Sequence, residues 1–414
     1  MYKKRVILLT ATTLVAAALA VAAAKIPVET PKPVAAPAPG VAKIAQSAQA
    51  KLAAYAKGAK ASTKTLRVCY FIPKGRDGAK DYLVRTQGII LDFQTWLTAE
   101  MKRNGFAGKT LRLELDKAGK PLIHIVRGER KIDEYDYKEG QAIRTECAAV
   151  LKKAGIADVN DETLLILQDM MFEPKPEAFT QKAPYYGGGS FRCGTAWCTD
   201  CRVLSVENLL VSGPKTWYQR GSMVRGQYNS TMIGGMLHEL GHALQLPHNK
   251  ESKTEKSTLG TALMGAGNYT FGRERWTNGK RKGSFLTFAS AMRLASHPLF
   301  AGIDKGRAID PVAQINTKFD HPAGKRTLTV HGQVKSANVP VYAIVIYTDL
   351  AGHGDYNART TVGALDDKGN FSVTVTDIAD GDYEVRVTFC HANGGVSHQV
   401  LKYTCKDGSI AFKK

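Results

Sequence analysis

The sequence predicts two folded units in series, an α+β domain over residues 65–308 and an all-β sandwich over residues 309–414. The first is expected to hold a twisted mixed sheet backed by helices. Strand-like and helix-like apolar periods alternate between Thr65 and Met170, the pattern of a sheet with helices packed on it. After about Ile309 they give way to short alternating strands separated by turn signals. At 414 residues the chain also exceeds one ordinary domain. Its 44% hydrophobic and 23% charged content is that of a globular protein rather than a disordered one.

In front of these units, residues 1–24 read as a secretory signal peptide. MYKKR is a positive leader, and Val6 to Ala24 is apolar and ends in small residues, so cleavage is expected before Lys25. If uncleaved, this run is long enough to span a bilayer, and it is the one membrane contact expected. The predicted location is secreted or in the cell envelope. Residues 25–64 form a Pro/Ala/Lys-rich linker; from Val41 onward it has the makings of a loose helix but too few large apolar groups to bury a core. The formal charge of +20 is carried by scattered Lys and Arg with no arginine stripe. It therefore reads as solubility and attraction to anionic surfaces, with no nucleic-acid partner expected.

Within the first unit, LRVCYFIPKG is a buried strand ended by Pro73 and Gly75. Ile89, Ile90, Phe93, Trp96, Leu97 and Met101 share a helical period that Gly105 stops. TLRLELD alternates as a half-buried strand, AGKP turns the chain, and PLIHIVRG is expected to return as its hairpin partner, with His124 on the strand surface. Gln141 to Lys153 reads as a second helix and Thr163 to Met170 as another buried strand. A Gly-, aromatic- and Cys-rich segment, Phe172 to Asn229, leads into the most informative stretch of the chain.

That stretch is MLHELGHALQLPHN, Met236 to Asn249. On a helix capped by Ser230 or Thr231 and running from Met232 to Leu246, His238 and His242 stack one turn apart on one face. In an HExxH of this kind the two imidazoles hold zinc and the carboxylate, here Glu239, serves as general base. Pro247 ends the helix, and His248 follows where a reversed chain brings a third imidazole under the metal. Three protein ligands and an open fourth position are the arrangement of a catalytic zinc site.

On these residues the chain resembles the metzincins, zinc endopeptidases with HExxHxxGxxH and a downstream Met-turn. His238, Glu239, His242 and His248 match the motif, and Gln245 stands where the family has Gly. That position turns at positive φ, where a side chain costs of order 1 kcal/mol. The resemblance implies an edge strand for substrate near Gly187 to Val203, where a peptide would add as a further strand. It also implies a floor beneath the metal from Met264, sixteen residues after His248. Family members that use a Tyr near the metal carry it where this chain has Ala266, so Tyr269 is assigned no role. Phe285 to Leu294 reads as the closing helix.

The repeated short strands beyond Ile309 suggest an immunoglobulin- or fibronectin-like sandwich. His331, His353, His391 and His398 in it lack ligand spacing and are expected at the surface. The seven cysteines suit an exported chain. Cys390 and Cys405 are the expected bridge, Cys193, Cys198 and Cys201 are read as disulfide-forming rather than as a second zinc site, and Cys69 as unpaired. The reading is a secreted zinc endopeptidase acting on protein or peptide, with envelope or glycan contact through the sandwich. Two alternatives stay open: a zinc-binding adhesion protein that does not cleave, favoured if Gln245 displaces His248, and a zinc hydrolase of cell-wall peptide amides.

Overall fold

A computed structural model describes residues 39–413 apart from positions 220 and 353. The expected signal peptide, the linker up to position 38 and His353 lie outside these residues. Among the described residues no helix is long and apolar enough to cross a membrane.

The chain opens with α1 (Pro39–Ala56), which is not the coreless spacer expected of this stretch. Ala45, Ala48 and Leu52 lie on one face at helical spacing and are buried in the main core. Small side chains there let α1 approach closely, so it shares its neighbours' core without having one of its own. β1 (Arg67–Ile72), α2 (Tyr82–Arg103) and β2 (Ile123–Arg127) follow. α2 buries Ile89, Ile90, Phe93, Leu97 and Met101 along one stripe.

TLRLELD and PLIHIVRG meet as the expected hairpin only next to the AGKP turn, where the Asp116 N–H donates to Lys120 O and the Leu122 N–H to Glu114 O, and they do not pair along their length. The first segment makes only isolated bridges, Leu66 with Leu113 and Leu115 with Pro121, while β2 pairs parallel with β1. The crossover through α2 decides this pairing, because a strand–helix–strand unit returns parallel. His124 on β2 is consequently buried, its Nε2 2.8 Å from Glu114 Oε2.

α3 (Gly140–Lys153) and β3 (Thr163–Gln168) complete the first half of the sheet. β4 (Met171–Lys175), β5 (Ala178–Gln181), β6 (Tyr186–Gly189), β7 (Gly194–Thr199), β8 (Lys215–Tyr218) and β9 (Gly221–Val224) lead to the long helix α4 (Arg225–Ala243). The main sheet runs β2-β1-β3-β7-β6. Its first four strands are parallel, and β6 pairs antiparallel with β7 and forms one edge. β4-β5-β8-β9 make a smaller sheet. Beyond α4 come α5 (Lys253–Thr258), the short strands β10 (Thr261–Ala262) and β11 (Ser284–Phe285) with α6 (Arg273–Trp276) between them, then α7 (Phe288–Ser296) and α8 (Pro298–Ala301).

His297 accepts the Leu299 N–H through Nδ1 at the start of α8. Burial pushes its pKa down to about 3. An unfolded His titrates near 6.5, so between these values the unfolded chain binds the extra proton and stability falls as pH falls. The group is expected to contribute a slope of up to about 1.4 kcal/mol per pH unit in that window. Denaturant unfolding of metal-stripped protein from pH 7 to 4 should therefore be less pH-sensitive in His297→Asn. Equal pH dependence in the two proteins would refute this.

The C-terminal region is β-rich: β12 (Ala313–Asp320), β13 (Leu328–Ser336), β14 (Val341–Leu350), β15 (Arg359–Gly363), β16 (Asn370–Val375), β17 (Gly381–His391), β18 (Val396–Lys406) and β19 (Ser409–Phe412). They form antiparallel sheets ordered β12-β13-β16 and β15-β14-β17-β18-β19. Val330 and Phe371 of one sheet share a core with Ile344, Val385 and Phe389 of the other. β14 is buried on both faces: Ile344 and Ile346 enter this core, while Tyr342, Val345 and Tyr347 enter the core of the α/β part. Its unbroken apolar run reflects that double burial.

The expected disulfides are not formed, and all seven cysteines are free. Cys390 and Cys405 do lie on the adjacent strands β17 and β18, but at opposite ends, opposite Val396 and Gly381 respectively. Cys198 points into the core, Cys201 lies 3.5 Å from the Tyr228 hydroxyl, and Cys193 sits in the β6–β7 turn. Cys69 is buried beside Cys147. His391 is also buried, contrary to expectation, with Val339 O and Ser397 Oγ on its two ring nitrogens; His398 is exposed.

Candidate metal and active centre

α4 carries the centre through the middle of the α/β part, buried along most of its length. It begins at Arg225, seven residues before the expected start, so Ser230 does not cap it. Ser230 lies inside the helix, where its Oγ accepts from Trp276 Nε1 at 2.8 Å. The helix ends at Ala243 with two closing hydrogen bonds, Gln245 N–H to His242 O and Leu246 N–H to Gly241 O, both 2.9 Å. This six-to-one, five-to-two pattern is a Schellman motif, which needs a left-handed residue just past the cap. Gln245 is that residue, with φ 67°. It adopts the glycine conformation at a cost of order 1 kcal/mol, and the chain still reverses through Pro247 to His248.

As a result His238, His242 and His248 meet. His242 Nε2 lies 3.1 Å from His238 Nε2 and 3.0 Å from His248 Nε2. Each ring presents its other nitrogen to an oxygen: His238 Nδ1 to Leu263 O at 2.8 Å, His242 Nδ1 to Leu246 O at 2.8 Å, and His248 Nδ1 to Asp355 Oδ1 at 2.6 Å. A carbonyl or carboxylate oxygen only accepts, so Nδ1 carries the hydrogen on each ring and the Nε2 lone pairs face one another. Burial pushes the His238 pKa down to about 4, and burial followed by His248 lowers that of His242. Bare lone pairs this close repel unless a cation lies among them. Among the described residues this is the cluster of three or more His, Cys, Asp or Glu that could hold a metal ion, and its donors suit zinc.

Glu239 sits next to His238 on the same helix and is partly buried. Burial raises its pKa to about 7, opposed by a hydrogen bond from the Gly187 N–H. Gly187 belongs to the edge strand β6, which passes directly over α4. A Cβ at Gly187 would overlap the Glu239 carbonyl oxygen, whereas one at Gly188 would meet nothing within 4 Å. Gly187→Ala is therefore expected to destabilise the protein by about 1–3 kcal/mol, the usual cost of overpacking, with Gly188→Ala close to neutral. Denaturant unfolding compares them, and equal midpoints would refute the close-approach argument.

Met264 is buried beneath α4, its sulfur filling the space that a side chain at Gly241 would need. Ala266 begins a 3-10 turn, and Tyr269 within it is exposed. Two residues at the centre escape any motif. Asp355 and Tyr356 lie in a 3-10 turn, Gly354–Asn357, between β14 and β15. Tyr356 stacks on His248 with ring centroids 3.7 Å apart. They are more than a hundred residues from the zinc-type motif, and nothing local in their sequence marks them as part of it.

No known protein family matches this sequence, and no curated protein matches it. Solved structures do. Wild-type OgpA from Akkermansia muciniphila resembles this chain with TM-score 0.69 at 22% identity, over 86% of this chain and 97% of OgpA. Catalytically inactive OgpA in complex with an O-glycopeptide substrate, glycodrosocin, gives TM-score 0.69 at 22% identity, over 84% of this chain and 94% of OgpA. The α/β architecture and the β-rich region behind it are therefore a fold this chain has in common with OgpA.

Proposed function

We propose that this chain is a zinc-dependent, metzincin-like endopeptidase acting on peptides, with O-glycosylated peptides as the first substrate class to test. The observation that carries the reading is the set of three facing Nε2 lone pairs, with Glu239 following His238 on α4. A bound zinc ion supplies Lewis acidity there, polarising a carbonyl and acidifying water. Glu239 takes the proton of the attacking water and returns it to the leaving amine, so one carboxyl serves both halves of the hydrolysis. Its raised pKa suits a group that must release the proton as well as accept it. β6, as the free edge beside Glu239, offers backbone groups on which an extended peptide can add as a further strand. The bound O-glycopeptide of OgpA, on the same fold, motivates the choice of substrate.

The non-cleaving alternative drew its support from Gln245. The left-handed conformation of Gln245 with His248 in the cluster removes that support. The basic leader and the apolar run behind it favour action outside the cytoplasm. The test is incubation of a defined O-glycopeptide and its unglycosylated counterpart with the protein, read by mass spectrometry with and without a chelator. Chelator-sensitive cleavage is expected and should return on adding zinc. No cleavage of either peptide, or cleavage indifferent to the chelator, would defeat the reading.

A further inference from the structure

The third histidine of the cluster is held by the β-rich region and not by its own segment alone. His242 and His238 are placed by α4, and their Nδ1 hydrogens go to carbonyls within the α/β part. His248 lies beyond the helix, after a non-glycine residue in a left-handed turn. Its Nδ1–H goes instead to Asp355 at 2.6 Å, and Tyr356 covers its ring. We propose that Asp355 is a positioning residue for the metal, and that the turn Gly354–Asn357 completes the centre from the C-terminal region.

Two observations support this. The turn is anchored beside His248 itself: the Lys250 N–H donates to Ala358 O at 2.7 Å, and Lys250 Nζ to Asn357 Oδ1 at 2.9 Å. The strand leading into the turn, β14, is buried on both faces, and the Tyr342 hydroxyl reaches Met292 O and Ser296 Oγ on α7. The turn thus has a fixed base. A carboxylate on the far nitrogen of a ligating imidazole fixes the tautomer and the ring orientation and makes the ligating nitrogen more basic. Loss of such partners typically costs about 10–100-fold in metal affinity. In this chain that contribution offsets the strain of a side chain at Gln245, so a turn that glycine would otherwise favour still delivers its histidine.

The proposal rests on the zinc reading above and is tested apart from cleavage. Zinc affinity of the full chain and of Asp355→Ala and Asp355→Asn is measured by competition with a chromophoric chelator. Melting of each metal-free protein and the visible spectrum of each cobalt-substituted form are recorded alongside. Asp355→Ala is expected to bind zinc about 10–100-fold more weakly, with altered cobalt bands and an unchanged metal-free melting temperature. Asp355→Asn, whose amide oxygen can still accept from Nδ1, should fall between it and the parent. Unchanged affinity in Asp355→Ala, a metal-free melting temperature that drops with the affinity, or a parent that takes up no zinc would each overturn the proposal. A parent that binds zinc in this Asp355-dependent way yet cleaves nothing would defeat the peptidase reading and leave this one standing.

Discussion

Glu239→Gln is expected to bind metal as the parent does and to lose about 100- to 10,000-fold in kcat/KM, the usual contribution of a positioned acid–base group. The amide keeps the size of the carboxyl, so the packing of α4 against β6 is preserved. It cannot take a proton from water at neutral pH, so the step assigned to Glu239 fails while the three imidazoles are untouched. The pH profile adds a second readout. The base must be ionised, so kcat/KM of the parent should fall on the acid side, with a midpoint at or below the value of about 7 that burial gives the metal-free carboxyl. A metal cation nearby favours the charged form and moves that midpoint down. Zinc content and peptide kinetics of the two proteins decide the matter. A Glu239→Gln protein that cleaves within tenfold of the parent, or that no longer holds zinc, would contradict the role.

The largest effect on stability is expected at Asp200, where β7 ends. Its carboxylate accepts from the Tyr70 hydroxyl at 2.6 Å and from both Arg85 amino groups at 2.8 and 2.7 Å. The Asp200 side chain is 2% exposed and that of Arg85 10%. This knot ties β1 and the end of β7 to the start of α2. Asp200→Ala leaves a guanidinium buried without its counter-charge, a change that costs about 3–5 kcal/mol. Asp200→Ala combined with Arg85→Met should recover much of the loss, because an apolar pair of similar volume avoids the stranded charge. Chemical denaturation of the parent and both variants tests this. A single variant within 1 kcal/mol of the parent, or a double variant no better than the single, would show that the pair is not held as tightly as its burial implies.

Where the governing interactions are local, the chain could be read directly. The stripe Ile89, Ile90, Phe93, Leu97 and Met101 marks α2 because its residues recur at the helical period. The apolar run RVCYFI marks β1 because a strand between two others is buried on both faces. His238 and His242 face the same way because four residues make about one turn. The misreadings have a shared cause. TLRLELD and PLIHIVRG carry sound hairpin signals, yet β2 pairs with β1, whose partner is chosen by the crossover helix between them. Cys390 and Cys405 stand on neighbouring strands, but register alone sets them at opposite ends. Residues 39–56 looked too poor in large apolar groups to pack, and they pack because other elements provide the surface.

From the sequence alone came a helix that places His238 and His242 on one face, a nearby third histidine, and α/β and β-rich portions in that order. Each is written in spacings shorter than twenty residues, where backbone geometry translates position into direction. Tertiary structure alone decided that Gln245 would accept the left-handed turn, that β6 would lie across Glu239, and that Asp355 and Tyr356 would close over His248. Those outcomes depend on which apolar faces bury one another across long separations, and no local period encodes that choice.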